Sequence, residues 1–391
     1  MRQVNSTDLS DEQEDILLDA PLNDVVLITG PPGSGKTVMA FHRGEYLTRK
    51  HDMVNLMMYN KVLKKFSDNA TKDKKIKVST MHAWMWHWWI GLTNRKIPQI
   101  EPWKPDWNQM FDTLVDKKCN NDLDINKLDW NHLIIDEAQD FSPSRMTFLN
   151  QIRSAFFTKE NAPSLTLLAD ENQRIGDDNS TIDQIKSSFK IENSKNCFKL
   201  TKNYRNTDEI NTLIECFYVG LETGKTKPSG KKGDKPELVF SDNFTKIIEY
   251  ISRYSKMFQN HEIGVVVPTN KERNKYYNAL NEVLNDSNFN VQTYSSGSKV
   301  YSAESLKFDK EGVVTILNRA SCKGLEFDAV FLPELSRMPI DDANLDSFRM
   351  NMYVMCSRAR LHISMFVENE NSPVLNYLPS SNLDILEYKH A

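Results

Sequence analysis

A glycine-rich segment after an apolar run is the part of the sequence best suited to chemistry. Residues 30–37 read Gly-Pro-Pro-Gly-Ser-Gly-Lys-Thr and follow Val25–Thr29. This spacing predicts a phosphate-binding loop between a strand and a helix, in which backbone N–H groups converge on phosphate oxygens and glycines allow close approach. In such a loop Lys36 bridges the β- and γ-phosphates and the Thr37 hydroxyl ligates Mg²⁺. The strand context disfavours the alternative, a glycine-rich turn without a ligand.

A second apolar run, His132–Ile135, ends in the adjacent acids Asp136 and Glu137. We expect Asp136 to hold the metal ion, through water, and Glu137 to polarise an attacking water molecule. Two acids after a strand are also typical of the N-cap and first turn of a helix. The phosphate loop earlier in the chain favours the catalytic interpretation.

The elements that must position these residues alternate between short β-rich runs and helical stretches, which predicts an α/β fold with parallel sheets. We predict a first domain at 1–196, with a small insertion at about 85–130 that has no clear strand, and a second domain at 197–391. The predicted strands are Val25–Thr29, Asn55–Tyr59, Lys77–Thr80, His132–Ile135, Leu165–Ala169, Glu237–Phe240, Ile263–Val267, Val291–Tyr294, Val313–Leu317, Ala329–Leu332 and His362–Phe366.

The composition limits the class of protein. With 391 residues, 39% of them hydrophobic and 26% charged, the chain has enough apolar material for two cores and is neither low-complexity nor collagen-like. A net charge of −4 disfavours binding of nucleic acid by bulk positive charge. The five cysteines are scattered and form no CxxC pair, which is typical of reduced thiols. Without a membrane-length apolar run or a signal-peptide core, the sequence predicts a soluble cytoplasmic protein.

Further short motifs follow one another along the chain. They are Ser10-Asp-Glu-Gln13, Met58-Tyr-Asn-Lys61, Ser79-Thr-Met-His-Ala-Trp84, Leu168-Ala-Asp-Glu-Asn-Gln173, Asn203-Tyr-Arg205, Lys323-Gly-Leu-Glu-Phe327 and Tyr353-Val-Met-Cys-Ser-Arg-Ala-Arg360. Together with the phosphate loop and Asp136-Glu-Ala-Gln-Asp140, they resemble the motifs of the UvrD/Rep-like superfamily 1 helicases over residues 10 to 365, and in the same order.

That resemblance implies two RecA-like domains that hydrolyse ATP with Mg²⁺ in the cleft between them. It implies that Gln13 reads the adenine, Tyr204 stacks on it and Glu326 contacts the ribose. It further implies that Gln173 and Arg205 reach the γ-phosphate and that Arg358 is the arginine finger, while the loop residues Gly30, Gly33, Ser34 and Gly35 line the phosphates. The contacts implied for single-stranded DNA are Tyr59, Asn60, Lys61, Thr80, His82, Trp84 and Lys323.

For several of these residues a purely structural role stays open. Ser10 and Gln13 are also a plain capping box, which can coexist with adenine recognition. Arg205 and Arg358 could form surface ion pairs. Of the four tryptophans in 84–89 we expect three to pack in the core and Trp84 to face a bound strand. The lysines between Lys61 and Lys77 either follow phosphates or form a solvated face.

Departures from the family pattern bear on function. The third motif continues as Arg174-Ile-Gly-Asp-Asp178 without aromatic residues, Ala320 stands where the family has a histidine, and Val38 follows the phosphate loop. The interval from Arg205 to Lys323 has no room for the family's mobile accessory domain. One hypothesis is therefore a compact single-stranded-DNA translocase or helicase, 3′ to 5′ by resemblance, with RNA not excluded as the bound strand. The alternative is a nucleic-acid-responsive ATPase switch that regulates a partner nuclease; a P-loop kinase would leave the second-domain motifs unexplained.

Overall fold

The computed structural model describes residues 9–391 except 52, 59–74, 175–177, 192–193, 286–288, 296–299, 309, 341–343 and 380–383. These residues form two compact units. The N-terminal unit comprises the described part of Val4–Gly30 together with Gly35–Leu200. The C-terminal unit comprises Pro31–Ser34 and Thr201–Ala391, so that the tip of the phosphate loop is grouped with it.

The N-terminal unit is built on six parallel strands in the order β3-β2-β6-β7-β1-β8. Its central strands are mostly apolar and are buried throughout, as expected where helices cover both faces of a parallel sheet. The strands are β1 Val25–Thr29, β2 Val54–Met58, β3 Ile76–Thr80, β6 His132–Ile135, β7 Ser164–Ala169 and β8 Cys197–Lys199.

Helices connect these strands, and most begin at a residue that caps them. The Ser10 hydroxyl and the Gln13 side chain form a complete capping box at the first helix, so the capping interpretation of these two residues is confirmed. The helices in the described part of this unit are α1 Asp11–Asp19, α2 Lys36–Leu47, α3 Met81–Thr93, α4 Trp107–Cys119, α5 Ile125–Leu128, α6 Pro143–Phe156 and α7 Ile182–Phe189.

The predicted insertion contains more regular structure than we expect from its sequence. After α3 the chain forms a short antiparallel hairpin, β4 Gln99–Glu101 and β5 Lys104–Pro105, and then α4 and α5. The expectation of no strand here is therefore wrong, because two short polar strands carry no apolar periodicity that a sequence could reveal. Met110, Leu114 and Leu128 of this segment are buried in the core of the N-terminal unit.

The C-terminal unit contains seven parallel strands in the order β11-β12-β10-β13-β14-β9-β15. The strands are β9 Glu237–Phe240, β10 Ile263–Val267, β11 Asn290–Thr293, β12 Val313–Asn318, β13 Phe327–Leu332, β14 Ala359–Val367 and β15 Glu387–His390. The helices are α8 Asp208–Cys216, α9 Phe244–Met257, α10 Asn270–Leu284 and α11 Leu345–Cys356.

The predicted α/β class with parallel sheets is confirmed. All the predicted strands are present, several with their ends shifted, whereas β8 and β15 were not predicted. Among the residues that the structure describes, no helix combines the length and the apolar character needed to cross a membrane.

A buried carboxylate fixes the edge of the C-terminal sheet. Glu237 on β9 accepts hydrogen bonds from Ser364 on β14 and from Tyr250 (2.8 Å), and its other oxygen lies 2.5 Å from Lys389 Nζ on β15. Burial alone would raise the pKa of Glu237, but the hydrogen bonds from His362, Lys389 and Ser364 outweigh burial and hold that pKa well below its usual range. The ionised carboxylate therefore stabilises the pairing of three strands.

We expect Glu237→Gln to lower the free energy of unfolding by about 1–3 kcal/mol at neutral pH, because it removes a charged acceptor from several buried donors. A depressed pKa contributes stability above the unfolded-state pKa, and this contribution is lost as the pH falls. The difference between wild type and variant should therefore shrink on acidification below about pH 4. Urea unfolding midpoints of wild type and variant, measured at neutral pH and below about pH 4, test this. The control is Glu387→Gln, which removes an exposed partner of the same lysine. An equal loss in both variants would contradict the assignment.

Candidate functional site

Three neighbouring strands of the N-terminal sheet end beside one another and bring together the predicted catalytic residues of this unit. Strands β6, β7 and β1 are adjacent and parallel, so their carboxyl ends lie at one edge. Gly30 follows β1, Asp136 follows β6 and Asp170 follows β7. The N–H of Gly30 bonds to Ala169 O at 3.2 Å, which fixes the start of the phosphate loop on β7.

Lys36 and Thr37 open α2 and reach the acids of the two other strands. The Lys36 ammonium group donates to Gly30 O at 2.6 Å and lies 3.8 Å from Asp170 Oδ2. The Thr37 hydroxyl donates to Asp136 Oδ2 at 2.8 Å. The sequence-predicted lysine, hydroxyl and carboxylate are thus held in one place, although they are far apart along the chain.

Asp136 is fully buried, and its environment disfavours its charge. Burial and the neighbouring Glu137 carboxylate raise the pKa of Asp136 to about 7. The hydrogen bond from Thr37 and the charge of Lys36 act in the opposite direction. Like charges at this edge therefore call for a compensating positive charge, which a cation would supply.

Glu137 adopts a backbone conformation that is unusual for a residue with a side chain. Its φ of 55° lies in the left-handed region. Its N–H bonds to Asp136 Oδ1 at 3.0 Å, and its carboxylate Oε2 accepts from Gln139 Nε2 at 2.5 Å. The same Gln139 side chain accepts from the N–H of Asp170 at 2.9 Å. Backbone strain of this kind is typical of functional sites.

Gln173, the predicted γ-phosphate sensor, belongs to the same cluster. It lies in a short 3₁₀ helix, Glu171–Gln173, directly after Asp170. Its side-chain Nε2 donates to Asp170 Oδ2 at 2.7 Å. Asp170 thus lies between Gln173 and Lys36, and all three side chains are buried.

Gln13 lies against the start of α2. Gly35 has a φ of 87°, and a Cβ atom at this position would lie 2.3 Å from Gln13 Nε2. The positive φ favours a glycine at residue 35, and any side chain there would also displace the Gln13 amide. The structure brings Gln13 to the phosphate loop, whereas adenine recognition by this residue stays a prediction.

The loop tip, grouped with the C-terminal unit, contacts the Asn203-Tyr-Arg205 motif. The N–H of Tyr204 donates to Gly33 O at 2.8 Å. A Cβ atom on Gly33, whose φ is 75°, would lie 2.4 Å from Asn203 Oδ1. Ser34 is buried and its hydroxyl donates to Pro31 O at 2.8 Å. Gly33 and Tyr204, two residues with predicted nucleotide contacts, are therefore neighbours through their backbones.

Arg205 and Glu326 form a close ion pair within the C-terminal unit. Arg205 Nε lies 2.6 Å from Glu326 Oε2, and the other oxygen of Glu326 lies 3.8 Å from Arg360. Burial would raise the pKa of Glu326, but the guanidinium groups of Arg205 and Arg360 outweigh it and hold that pKa below its usual value. Arg205 and Glu326, which are predicted to contact the γ-phosphate and the ribose, thus neutralise each other's charge in this structure.

Arg358, the predicted finger, is hydrogen-bonded inside its own unit. It is 1% exposed. Its guanidinium group donates to Val354 O at 2.9 Å, Leu325 O at 3.2 Å and Ser357 Oγ at 2.7 Å. These bonds join α11 to the Lys323–Phe327 motif. The role as a finger stays a prediction.

The residues predicted to contact DNA are only partly described by the structure. Tyr59, Asn60 and Lys61 lie outside the described residues. Thr80 caps α3 through its hydroxyl, His82 is exposed one position into that helix, and Lys323 is buried. Their contacts with nucleic acid stay predictions.

The tryptophan-rich helix α3 presents a different ring to solvent from the one we predict. Trp84 is 8% exposed and stacks on Trp88, with 5.7 Å between ring centroids. Trp89 is buried, and Trp88 packs against the core. Three of the four rings thus pack as expected, but the outward-facing ring, 48% exposed, is that of Trp86. The expectation that Trp84 faces outward is wrong because Trp84, Trp88 and their neighbours form the inner face of the helix.

Three residues of these clusters have no role in the sequence-based prediction. Gln139 and Asp170 lie inside recognised motifs, and each follows a strand end, which is the signal that could have indicated them. Arg360 contacts Glu262 at 3.1 Å and Asp328 at 3.1 Å, in addition to Glu326. Its position two residues after Arg358 carries no comparable signal.

The N-terminal cluster suits a magnesium ion bound together with phosphate. Within the described ranges, no group of three or more histidine, cysteine, aspartate or glutamate side chains could hold a metal ion by itself. Thr37 and Asp136 offer a hydroxyl and a carboxylate, the hard oxygen ligands that Mg²⁺ prefers, and Mg²⁺ commonly takes its remaining ligands from phosphates and water. The residues therefore fit a cation that arrives with a nucleotide.

Comparisons with known proteins find similarity to parts of this chain. A crystal structure of the C-terminal domain of a possible DNA helicase from Lactobacillus plantarum WCFS1 is similar at 20% identity, covering 47% of this chain and 98% of that chain with a TM-score of 0.33. No protein of curated function matches the chain. The family model of the AAA domain matches residues 13–177. Residues 13–177 are therefore similar to an AAA domain.

Proposed function

We propose that the protein is an ATP-dependent translocase or helicase of superfamily 1 that acts on single-stranded DNA. The observation that carries this proposal is the convergence of Lys36, Thr37, Asp136 and Glu137 at one edge of the N-terminal sheet, with Thr37 Oγ1 only 2.8 Å from Asp136 Oδ2. These are the side chains that phosphoryl transfer needs, and the Thr37 hydroxyl contacts the Asp136 carboxylate directly. The order of the remaining motifs along the chain supports the extension to a DNA motor, with 3′ to 5′ polarity by resemblance.

Each residue of the N-terminal cluster has a role in this proposal. Lys36 and the loop N–H groups bind the phosphates, and Glu137 orients a water molecule and accepts its proton. Thr37 and Asp136 hold Mg²⁺, which neutralises phosphate charge when it is bound. Gln173 contacts the γ-phosphate from its place beside Asp170.

The C-terminal unit supplies positive charge in the proposed reaction. Arg205 is the better-supported candidate, because its guanidinium group is partly exposed and paired with a single carboxylate, Glu326, at close range. Arg358 would have to exchange three hydrogen bonds within its own unit to reach a phosphate. Closure of the two units around ATP, and its reversal after hydrolysis, is the step that would move a bound strand.

A second function is supported by the elements that the interval between Arg205 and Lys323 forms. The described part of this interval supplies strands β9 to β12 and helices α8 to α10 of the C-terminal unit itself. A compact ATPase of this kind suits a switch that responds to nucleic acid and regulates a partner such as a nuclease. The two functions share the hydrolysis site and differ in whether the bound strand is advanced.

We expect Lys36→Ala and Glu137→Gln each to reduce ATP turnover by at least ~10²-fold, because the first removes a phosphate contact and the second removes the base. Glu137→Gln should still bind ATP, whereas Lys36→Ala should bind it weakly. Steady-state hydrolysis and a fluorescent-nucleotide titration measure both effects. The matched controls are Lys50→Ala and Glu160→Gln, which change exposed residues of the same unit. Normal hydrolysis by Glu137→Gln would contradict the assignment of Glu137 as the base.

The apparent affinity of the nucleotide-bound protein for Mg²⁺ should depend on pH through Asp136. Because its pKa is raised to about 7, Asp136 is protonated below that pH and then cannot bind a cation. Each pH unit below the pKa should therefore weaken Mg²⁺ binding roughly tenfold. Mg²⁺ titrations at pH 6 and pH 8, with Asp136→Asn to report the titration of the phosphates alone, measure this. Identical pH dependence in wild type and variant would rule the carboxylate out as the titrating group.

Single-stranded DNA should stimulate ATP hydrolysis strongly if the protein is a translocase, because a bound strand completes the closed state. The measurement is the ATPase rate of the pure protein with and without a single-stranded oligonucleotide, with Lys36→Ala as the blank. Displacement of a strand from a tailed duplex would support the helicase function. An ATPase rate that single-stranded DNA does not change would contradict both the translocase and the helicase function. It would favour a switch that responds to another partner.

A further inference from the structure

Gln139 is a buried side chain whose two polar ends are both bound to residues of the candidate site. It is 0% exposed. Its Nε2 donates to Glu137 Oε2 at 2.5 Å, and its Oε1 accepts from the N–H of Asp170 at 2.9 Å. A carboxylate can only accept and a backbone N–H can only donate, so these two partners fix the orientation of the amide.

Each end of the Gln139 amide leads to a different part of the cluster. Glu137 carries the carboxylate proposed as the base. Asp170 lies 3.8 Å from the Lys36 ammonium group and accepts from Gln173 Nε2 at 2.7 Å. The chain of contacts from Glu137 through Gln139 and Asp170 to Gln173 therefore joins the end of β6 to the end of β7.

The base has a specific need for such a contact. Glu137 departs from regular backbone geometry, with a φ of 55°, and its side chain has several rotatable bonds. A displacement of a reacting group by about 1 Å can lower a rate on the order of 10²-fold. A buried donor 2.5 Å from one carboxylate oxygen restricts where the other oxygen can point.

We propose that Gln139 is a positioning residue, which fixes the Glu137 carboxylate for attack by water and links it to the turn that carries Gln173. This inference rests on the proposed ATPase function and adds a residue to it. Neither hydrogen bond of the amide reaches the phosphate loop, so loss of Gln139 should slow hydrolysis and leave nucleotide binding intact.

A purely structural role makes a different prediction. The backbone carbonyl of Gln139 accepts from the N–H of Ser180 at 2.9 Å, and this bond holds the segment that precedes α7. A change of the side chain leaves this bond in place. If the side chain only stabilised the fold, its loss would lower the melting temperature without a selective effect on kcat.

The test uses two substitutions of the full chain. Gln139→Met keeps the length of the side chain and removes both hydrogen bonds. Gln139→Glu keeps an acceptor for Asp170 N–H, removes the donor to Glu137 and adds a like charge beside it. The matched control is Gln292→Met in the C-terminal unit, because Gln292 is also a buried glutamine, bonded to Lys307 O and Thr315 Oγ1.

For both Gln139 variants we expect kcat to fall by about 10- to 100-fold, with KM and the affinity for a fluorescent ATP analogue unchanged. Gln292→Met should lower the melting temperature as much as Gln139→Met does, with an unchanged kcat. A wild-type kcat in folded Gln139→Met or Gln139→Glu would overturn the inference and leave the ATPase function standing, and so would a parallel loss of nucleotide affinity. Absence of hydrolysis by the wild-type protein would instead overturn the proposed function, and this inference with it.

Discussion

Two carboxylates side by side in a buried position are the constraint on which the N-terminal site depends. Asp136 and Glu137 could not both be charged there without compensation, because burial and their mutual repulsion disfavour ionisation. Compensation comes from the Thr37 hydroxyl, the Lys36 ammonium group and the amide of Gln139. Lys36 and Thr37 follow β1, and Gln139 follows β6. Because Gln139 also accepts from the N–H of Asp170 after β7, the same electrostatic need links the ends of these three strands.

The C-terminal unit balances its charge in another way. Its arginines are neutralised within the unit, Arg205 by Glu326 and Arg360 by Glu262, Glu326 and Asp328. A phosphate that approached Arg205 would therefore have to compete with a carboxylate already in place. Because such an exchange replaces one anion beside Arg205 by another, it would leave the guanidinium charge balanced in both states.

The sequence predicts those parts of the structure that depend on local pattern. Apolar runs such as Val25–Thr29 and Ile263–Val267 locate their strands well, because buried parallel strands are continuous in hydrophobicity. The strands Cys197–Lys199 and Glu387–His390 are not predicted because they are short, and because their pairing depends on backbone hydrogen bonds to strands distant in sequence. The helical spacing of Met81, Trp84, Met85, Trp88 and Trp89 does contain the information that Trp86 faces outward. The partners of Gln139 and Arg360 could not be predicted, since they depend on side-chain geometry across separate elements.

The left-handed backbone at Glu137 places the demands of stability and of chemistry in opposition. A residue with a side chain pays about 1–2 kcal/mol for this conformation, which glycine adopts without strain. Selection for thermal stability alone would therefore favour glycine at this position, and the same change would delete the carboxylate. A screen of random variants ranked only by melting temperature would therefore favour variants that lack the proposed base at residue 137, so a thermostabilised version of this chain should be selected with turnover as a second criterion.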